Sequence, residues 1–384
     1  MTSIYFDHAA TTPMLPEAIQ AYADAAGAGP ANPSSLHSFG RKAKSRITVA
    51  RDLLSECLGC VPNELIFTGS GTESDNAALF GAAAAQRAKG RNVIVTTAVE
   101  HHAVLNACRK LEQDGFTLKV LEPDEFGRVS AEEAAGVIDD KTAVVSVMAG
   151  NNETGTLQPI EEIGRIARER GAVMHVDAVQ AFGYTRWELR SLPIDMLSAS
   201  AHKINGPQGV GLLYVRQGTP FQPLLYGGKQ ERGRRAGTEN VAGIAAFAEA
   251  AKWAFSRMDE RIRHAEDIRS ALIEALRSEI GENSFCINGH ASLRLPHIVN
   301  ISFPGIPSDS MLMNLDLAGV AASGGSACTS GSLQPSHVLT AMKLPPERVQ
   351  SAVRFSFGLG NTREEAEKTA KIIATISARI RISL

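Results

Sequence analysis

Several things are scarce in this sequence, and each scarcity excludes a class of protein. Cysteines are few: Cys57, Cys60, Cys108, Cys286 and Cys328, odd in number and irregularly spaced. That pattern builds no disulfide framework and suits unpaired thiols in a reduced compartment. No apolar run approaches the roughly 18 residues that a membrane-spanning helix needs. Asp7 and His8 fall where the apolar core of a secretory signal would lie, so the sequence reads as cytoplasmic. An excess of one charge is missing too: 39 Lys and Arg stand against 41 Asp and Glu, a net charge of −2. Such a chain is not a strongly electrostatic nucleic-acid binder, and no direct nucleic-acid contact is expected. Repeats and low-complexity tracts are also absent. Cys57-Leu58-Gly59-Cys60 has the spacing of two metal ligands, but no second pair follows. Buried structural thiols are therefore the expectation, and no metal site is expected.

What remains is a chain of ordinary globular composition, 44% hydrophobic and 21% charged over 384 residues, long enough for two or three domains. After a loop-like N-terminus and a helical pattern over 41–58, short apolar runs alternate with helical segments. Strands are expected at 65–68, 92–97, 117–121, 143–148, 172–177, 194–198 and 210–215. Helices are expected between them at 72–85, 103–111 and 160–170. This β/α alternation predicts an α/β fold with a mostly parallel sheet covered on both faces. Past Gly237 the pattern changes to long helices at 240–256 and 261–278. Strand-like 298–303, helix-like 309–317, strand-like 353–357 and a last helix follow. Thr362 and Glu365 have the spacing of a capping box at the start of that last helix. The reading is a large α/β domain over 15–255 and a smaller α+β domain built from 1–14 and 256–384.

The chemistry concentrates around Ser200-Ala201-His202-Lys203, with Asp177 and Gln180 upstream. A lysine at a strand end can form a Schiff base with an aldehyde cofactor. Pyridoxal 5′-phosphate (PLP) also needs a carboxylate at its pyridine nitrogen, a phosphate cradle and a donor at its ring hydroxyl. Asp177 ends a strand, where α/β sheets place ligands. Gly69-Ser70-Gly71-Thr72 follows a strand and opens a helix, whose orphan amides and positive dipole end suit a phosphate. Taken singly, these features are commonplace: a helix cap, a turn and a surface run. Their joint order is what points to PLP.

Further motifs extend the pattern along the chain. They include Asp7-His8-Ala9-Ala10-Thr11-Thr12-Pro13, Gly71-Thr72-Glu73-Ser74-Asp75-Asn76, Glu100-His101 and Asn151-Asn152-Glu153-Thr154-Gly155. His175-Val176-Asp177-Ala178-Val179-Gln180, His202-Lys203 and Arg235-Ala236-Gly237-Thr238-Glu239-Asn240 follow. Gly325-Ser326-Ala327-Cys328-Thr329-Ser330 and Arg354-Phe355-Ser356 close the series. Through these motifs nearly the whole chain resembles the cysteine desulfurases of the NifS/IscS type, class-V aminotransferase-like members of the fold-type I PLP-dependent transferases. The resemblance implies that Lys203 carries the cofactor and that Asp177 pairs with the pyridine nitrogen. Gln180 and Asn152 would lie near the ring hydroxyl, and His101 would stack on the ring and take part in proton transfer. Gly71, Thr72, Ser200 and His202 would hold the phosphate. Thr238 would reach the phosphate of the other subunit of a homodimer. Arg354 would clamp the carboxylate of L-cysteine, with Asn152 beside it, a task suited to a planar two-donor fork.

The second chemical centre is Cys328, in a run of small and polar residues from Ser323 to Ser332 that cannot pack a core. The resemblance implies that its thiol takes sulfur from cysteine as a persulfide, leaving alanine. The sulfur would pass to an acceptor protein, an iron–sulfur scaffold or a tRNA-thiolation protein. Without the PLP motifs the same run reads as a glycine-rich turn with an incidental cysteine. Cys108 and Cys286 read as structural, and His102 as a solvated or helix-start residue. Lys229, Arg232, Arg234 and Arg235 form a basic cluster that is either a solvated loop or an anion contact. The rival readings are a selenocysteine lyase, another fold-type I PLP enzyme such as an aminotransferase, and a sulfur carrier with little activity until a partner arrives. An aminotransferase would use Lys203 and Arg354 without Cys328.

Overall fold

A computed structural model describes residues 3–30, 32–325 and 335–382. In chain order the elements are β1 (Ile4–Tyr5), α1 (Pro16–Ala26), α2 (Ser38–Leu58), β2 (Leu65–Thr68), α3 (Gly71–Arg87), β3 (Val93–Thr97), α4 (His102–Gln113) and β4 (Thr117–Leu121). They continue with α5 (Ala131–Val137), β5 (Thr142–Met148), α6 (Ile160–Glu169), β6 (Val173–Asp177), β7 (Met196–Ser200), β8 (Gly211–Val215), α7 (Val241–Ser256) and α8 (Met258–Ile280). The last are β9 (Cys286–Asn288), β10 (Ile298–Ser302), α9 (Ser308–Leu317), β11 (Val320–Ala321), α10 (His337–Ala341), α11 (Pro346–Gln350), β12 (Ala352–Ser356) and α12 (Arg363–Ile382).

Seven strands form the main sheet in the order β2-β8-β7-β6-β5-β3-β4. From β7 to β4 every pairing is parallel; β8 runs antiparallel to both its neighbours. Strands β5, β6, β7 and β8 are buried along their whole length, which is why they read as apolar runs rather than alternations. Alternate side chains nevertheless serve opposite faces. Val145, Val147, Leu212 and Tyr214 pack with Leu54, Leu58 and Phe247 on one side. Val144 and Leu213 pack with Leu79, Val104 and Leu111 on the other. Separately, β12, β10 and β9 form an antiparallel sheet. Beneath it Phe6, Leu272, Leu276, Ile301, Val353, Phe355 and Ile373 form another apolar core. Each such side chain contributes about 1.5–3 kcal/mol on burial.

Most of the expected elements occur within a few residues of their expected bounds. The capping box forms: the Glu365 amide donates to the Thr362 hydroxyl, and the Thr362 amide to the Glu365 carboxylate, both at 3.2 Å. One expectation fails at the N-terminus, where the loop-like stretch contains α1. Pro16 opens that helix at a position where its missing N–H costs nothing. Strand β7 also begins two residues later than expected and runs on through Ser198 and Ser200, two serines buried at its C-terminal end. No helix among the described residues is long and apolar enough to cross a membrane.

Candidate active site

The C-terminal ends of β5, β6 and β7 lie side by side, with Met148 opposite Asp177 and Asp177 opposite Ser198. A cleft opens above them. Its walls include Gly71, Thr72, His101, Asn152, Asp177, Gln180, Ser200, His202, Lys203 and Arg354. All of these were candidates on sequence grounds, and the fold brings them together. Thr238 is not on the cleft wall and is exposed. Cys328 lies outside the described residues. On either side of its segment the chain is tied down. The Ser323 hydroxyl donates to Asp7 Oδ2 at 2.8 Å, and the Ser336 hydroxyl to Glu153 Oε2 at 2.6 Å.

Lys203 sits in a single helical turn just after β7. Its Nζ donates to the carbonyls of Ala9 at 2.5 Å and Ala10 at 2.7 Å, so the N-terminal segment forms one wall. Gln180 Nε2 donates to the same Ala9 carbonyl at 2.8 Å. Asp177 is buried, and its Oδ1 accepts from the Val179 amide at 2.9 Å. Burial raises its carboxyl to about 6, against the lowering effects of that bond and of the positive Lys203. His101 caps α4, its Nδ1 accepting from the Ala103 amide at 3.1 Å. Burial, helped by the charge on Lys203, pushes the ring down to about 4 and keeps it neutral near pH 7. Because Nδ1 accepts, the neutral ring carries its proton on Nε2. Burial does the same to His202, also to about 4, and its Nδ1 lies 3.2 Å from the Thr11 hydroxyl.

Arg354, on β12, is fully buried and reaches the cleft from the other sheet. Nη2 donates to Asp7 Oδ1 and Nη1 to the Asn152 carbonyl, at 2.8 and 2.9 Å. Its Nε is buried and has no partner among the described residues, a donor suited to an incoming carboxylate.

Several buried polar residues under the cleft are not singled out by the sequence. His175 lies between two serines, Nδ1 2.8 Å from the Ser146 hydroxyl and Nε2 2.9 Å from that of Ser198. Burial pushes it down to about 3, so it is neutral. Asp75 lies 3.6 Å from the same ring and lines the cleft floor. Burial raises it well above the usual carboxylate range, reinforced by the charge of Asp177. Glu100 accepts at Oε1 from the Met148 amide and the Thr97 hydroxyl, both at 2.8 Å, while Oε2 has no partner among the described residues. Burial raises Glu100 to about 8. Asp75, Glu100 and His175 stand inside the sequence motifs, but nothing in those motifs signals their depth.

The other candidates resolve as structure. Cys57 and Cys60 are unpaired thiols that burial pushes up to about 12, which leaves them protonated and poor nucleophiles near pH 7. No cluster of metal-ligating side chains occurs among the described residues. His102 opens α4 and packs against His337, ring centroids 4.5 Å apart. The basic cluster is not simply solvated: Arg235 pairs with Glu73, and Arg234 donates to the Asn63 carbonyl.

The residues fit PLP. At the start of α3, Gly71 and Thr72 line the cleft with helix-start amides that an intrahelical bond cannot satisfy. A Cβ at Gly71 would lie 2.7 Å from Val179 Cγ2, so only glycine leaves that wall open. A buried carboxylate, a lysine and this turn at the ends of parallel strands together define a PLP-dependent enzyme of fold type I. The comparisons agree. The family described as aminotransferase class-V matches residues 4–369. The chain is 46% identical over 381 residues to a putative cysteine desulfurase IscS 1 of Bacillus subtilis, covering 99% of this chain and 100% of that one. It is 43% identical to cysteine desulfurase IscS of Methanosarcina thermophila, covering 99% and 93%. Among solved structures, a NifS-like protein superposes with a TM-score of 0.91 at 36% identity, covering 98% and 100%. DndA from Streptomyces lividans gives 0.79 at 37%, covering 91% and 98%. The chain belongs to the class-V aminotransferase family, within its PLP-dependent cysteine desulfurases.

Proposed function

We propose that this cleft converts L-cysteine to L-alanine and passes the sulfur to the thiol of Cys328. Bound PLP supplies an aldehyde that joins amines and a pyridinium ring that withdraws electrons. Lys203 would hold the aldehyde carbon and Asp177 the ring nitrogen. Gly71, Thr72, Ser200 and His202 would hold the phosphate, Gln180 and Asn152 the ring hydroxyl, and His101 the ring face. Arg354 binds the cysteine carboxylate through Nε, which has no partner among the described residues, with Asp7 and the Asn152 carbonyl keeping the guanidinium in place. Neutral His101 carries a proton on Nε2 within the cleft and exchanges it with the reacting substrate. The carbon–sulfur bond of cysteine breaks, a sulfur–sulfur bond forms on Cys328, and the carbon gains a proton. Atoms and electrons balance without an external oxidant.

One observation carries this reading: His101, the neighbouring strand-end residues Asp177 and Lys203, and Arg354 from the other sheet line a single cleft beside the start of α3. We further propose a homodimer in the cytoplasm, with Thr238 serving the other subunit's phosphate; its exposure away from its own cleft supports this. The IscS name of the relatives favours an iron–sulfur scaffold as acceptor, with a tRNA-thiolation protein as the alternative. The division into 15–255 and 1–14 with 256–384 is supported by the separate apolar core under β9, β10 and β12.

The test is incubation with L-cysteine, PLP and a reducing thiol, with alanine and sulfide both assayed. Equal amounts of the two are expected, and Cys328→Ser should abolish both. A Cys328→Ser variant with full activity would remove the persulfide step and favour a lyase route.

A further inference from the structure

The turn ahead of α3 divides its amides between the protein and the cleft. The Ser70 hydroxyl accepts from the Glu73 amide at 3.1 Å, an N-cap bond. In a capping box the Glu73 carboxylate would take the amide of Ser70 itself. Here it reaches one residue further back and accepts from the Gly69 amide at 2.7 Å. The turn is thereby closed without consuming the amides of Gly71 and Thr72 on the cleft wall.

Glu73 is itself gripped from a remote segment. Arg235 Nε donates to Oε1 at 2.8 Å and Nη2 to Oε2 at 3.1 Å, both half-buried. A second two-bond pair anchors the segment that carries Arg235. Arg51 donates to Glu231 at 2.6 and 2.9 Å, and Glu231 Oε2 also accepts from the Phe67 amide at 3.1 Å. Phe67 lies on β2, an edge strand of the main sheet, where an outward amide needs a partner. Glu231 and Arg232 take up left-handed backbone, φ 44° and 58°. Residues other than glycine hold that geometry only when their surroundings enforce it. Without its clamp the Glu73 carboxylate would also be an uncompensated negative charge beside an anion site.

We propose that Arg235 is a positioning residue for the cofactor phosphate, holding Glu73 so that the turn from Gly69 to Thr72 presents its open amides to the anion. The proposal rests on the cofactor reading above and adds a residue that acts without touching the cofactor.

The test is a spectrophotometric titration of apoprotein with PLP and, separately, with pyridoxal, which keeps the ring and aldehyde but lacks the phosphate. Arg235→Gln is expected to weaken PLP about tenfold, the worth of roughly one charge-assisted hydrogen bond. Pyridoxal binding should be unchanged. Glu73→Ala should weaken PLP in the same direction but by less, since it opens the turn without leaving a negative charge beside the anion, and Glu73→Gln should lose least because its amide oxygen still accepts from Gly69. Equal weakening of PLP and pyridoxal would mean general damage and would overturn the positioning role, as would unchanged PLP binding in Arg235→Gln. Calorimetric titration with inorganic phosphate separates this idea from the cofactor reading. Wild-type protein that binds phosphate but not PLP overturns the cofactor reading, while weaker phosphate binding by Arg235→Gln still supports the clamp. Wild-type protein that binds neither overturns both.

Discussion

Glu100→Gln should make the protein more resistant to unfolding at high pH. Glu100 is fully buried beside the cleft, with Oε1 accepting two bonds and Oε2 none among the described residues. Burial is the largest influence on it, the bonds from Met148 and Thr97 oppose burial, and the charge of Asp177 adds to it; the carboxyl stands at about 8 against an ordinary 4.5. The folded form therefore holds a proton that the unfolded chain has released. Stability from the neutral acid is fully present below about 4.5 and is lost progressively as pH rises from there through about 8. Each tenfold difference in proton affinity between the folded and unfolded chain is worth about 1.4 kcal/mol, so the wild type should lose roughly 3–5 kcal/mol from this residue by pH 9. Glutamine stays neutral at every pH and keeps the carbonyl acceptor for Met148 and Thr97. Urea unfolding of the two apoproteins at pH 5, 7 and 9 checks this. The variant should be near parity with the wild type at pH 5 and gain steadily toward pH 9. Parallel pH curves would refute the reasoning, because they would mean Glu100 is already ionised in the folded protein.

Three other outcomes follow from the same geometry. Asp177→Asn should retain the fold but lower kcat about 10²–10³-fold, because a neutral amide would not hold the proton on the ring nitrogen that makes the ring electron-withdrawing; steady-state alanine formation measures it. Arg354→Lys should raise KM for cysteine about tenfold or more, because a point-charge ammonium cannot reproduce the planar fork that holds Asp7, the Asn152 carbonyl and a substrate carboxylate together. Arg51→Met should cost about 3–5 kcal/mol in urea unfolding by leaving Glu231 charged and buried, whereas Arg51→Met with Glu231→Leu should cost less than the single change.

Much of this fold is legible in the sequence because its central strands are buried on both faces. Ala143 to Met148 and Val173 to Asp177 are short, branched and apolar, bounded by helices with clear periodicity. The expectation fails where local punctuation outweighs packing. Thr11-Thr12-Pro13 reads as loop, yet α1 begins three residues later and buries Ala18 and Ala25. Strand β7 runs two residues past its expected end because Ser200, polar in type, is buried there rather than exposed. The site divides the same way. Asp177 ends β6 and Lys203 follows β7, and the joint order of their motifs along the chain, rather than any one motif, is what marks them. Asp75, Glu100 and His175 depend on burial, which no local pattern encodes. The Glu73–Arg235 pair joins residues 162 positions apart, so its existence depends on tertiary structure alone. For that reason the basic cluster could not be assigned from sequence between a solvated loop and an anion contact.

The N-terminal segment explains why the site and the fold stand together. Asp7 pairs with Arg354 on β12, and the Ala9 amide donates to the Ser356 hydroxyl on the same strand at 2.8 Å. The Ala9 carbonyl accepts from Lys203 and Gln180, which belong to the ends of the main sheet. The Thr12 hydroxyl donates to the His202 carbonyl at 2.7 Å. The short stretch from Asp7 to Thr12 thus bridges the three-stranded sheet, Arg354 and Lys203. A chain closed through such long-range contacts forms its cleft only when both sheets are in place. Ligands that bind only the closed form stabilise it by about 2.7 kcal/mol at a hundred times their Kd. Cofactor retention and folding stability should therefore change together whenever this segment is altered, even though none of residues 7, 9 and 12 lies in an element of the main sheet.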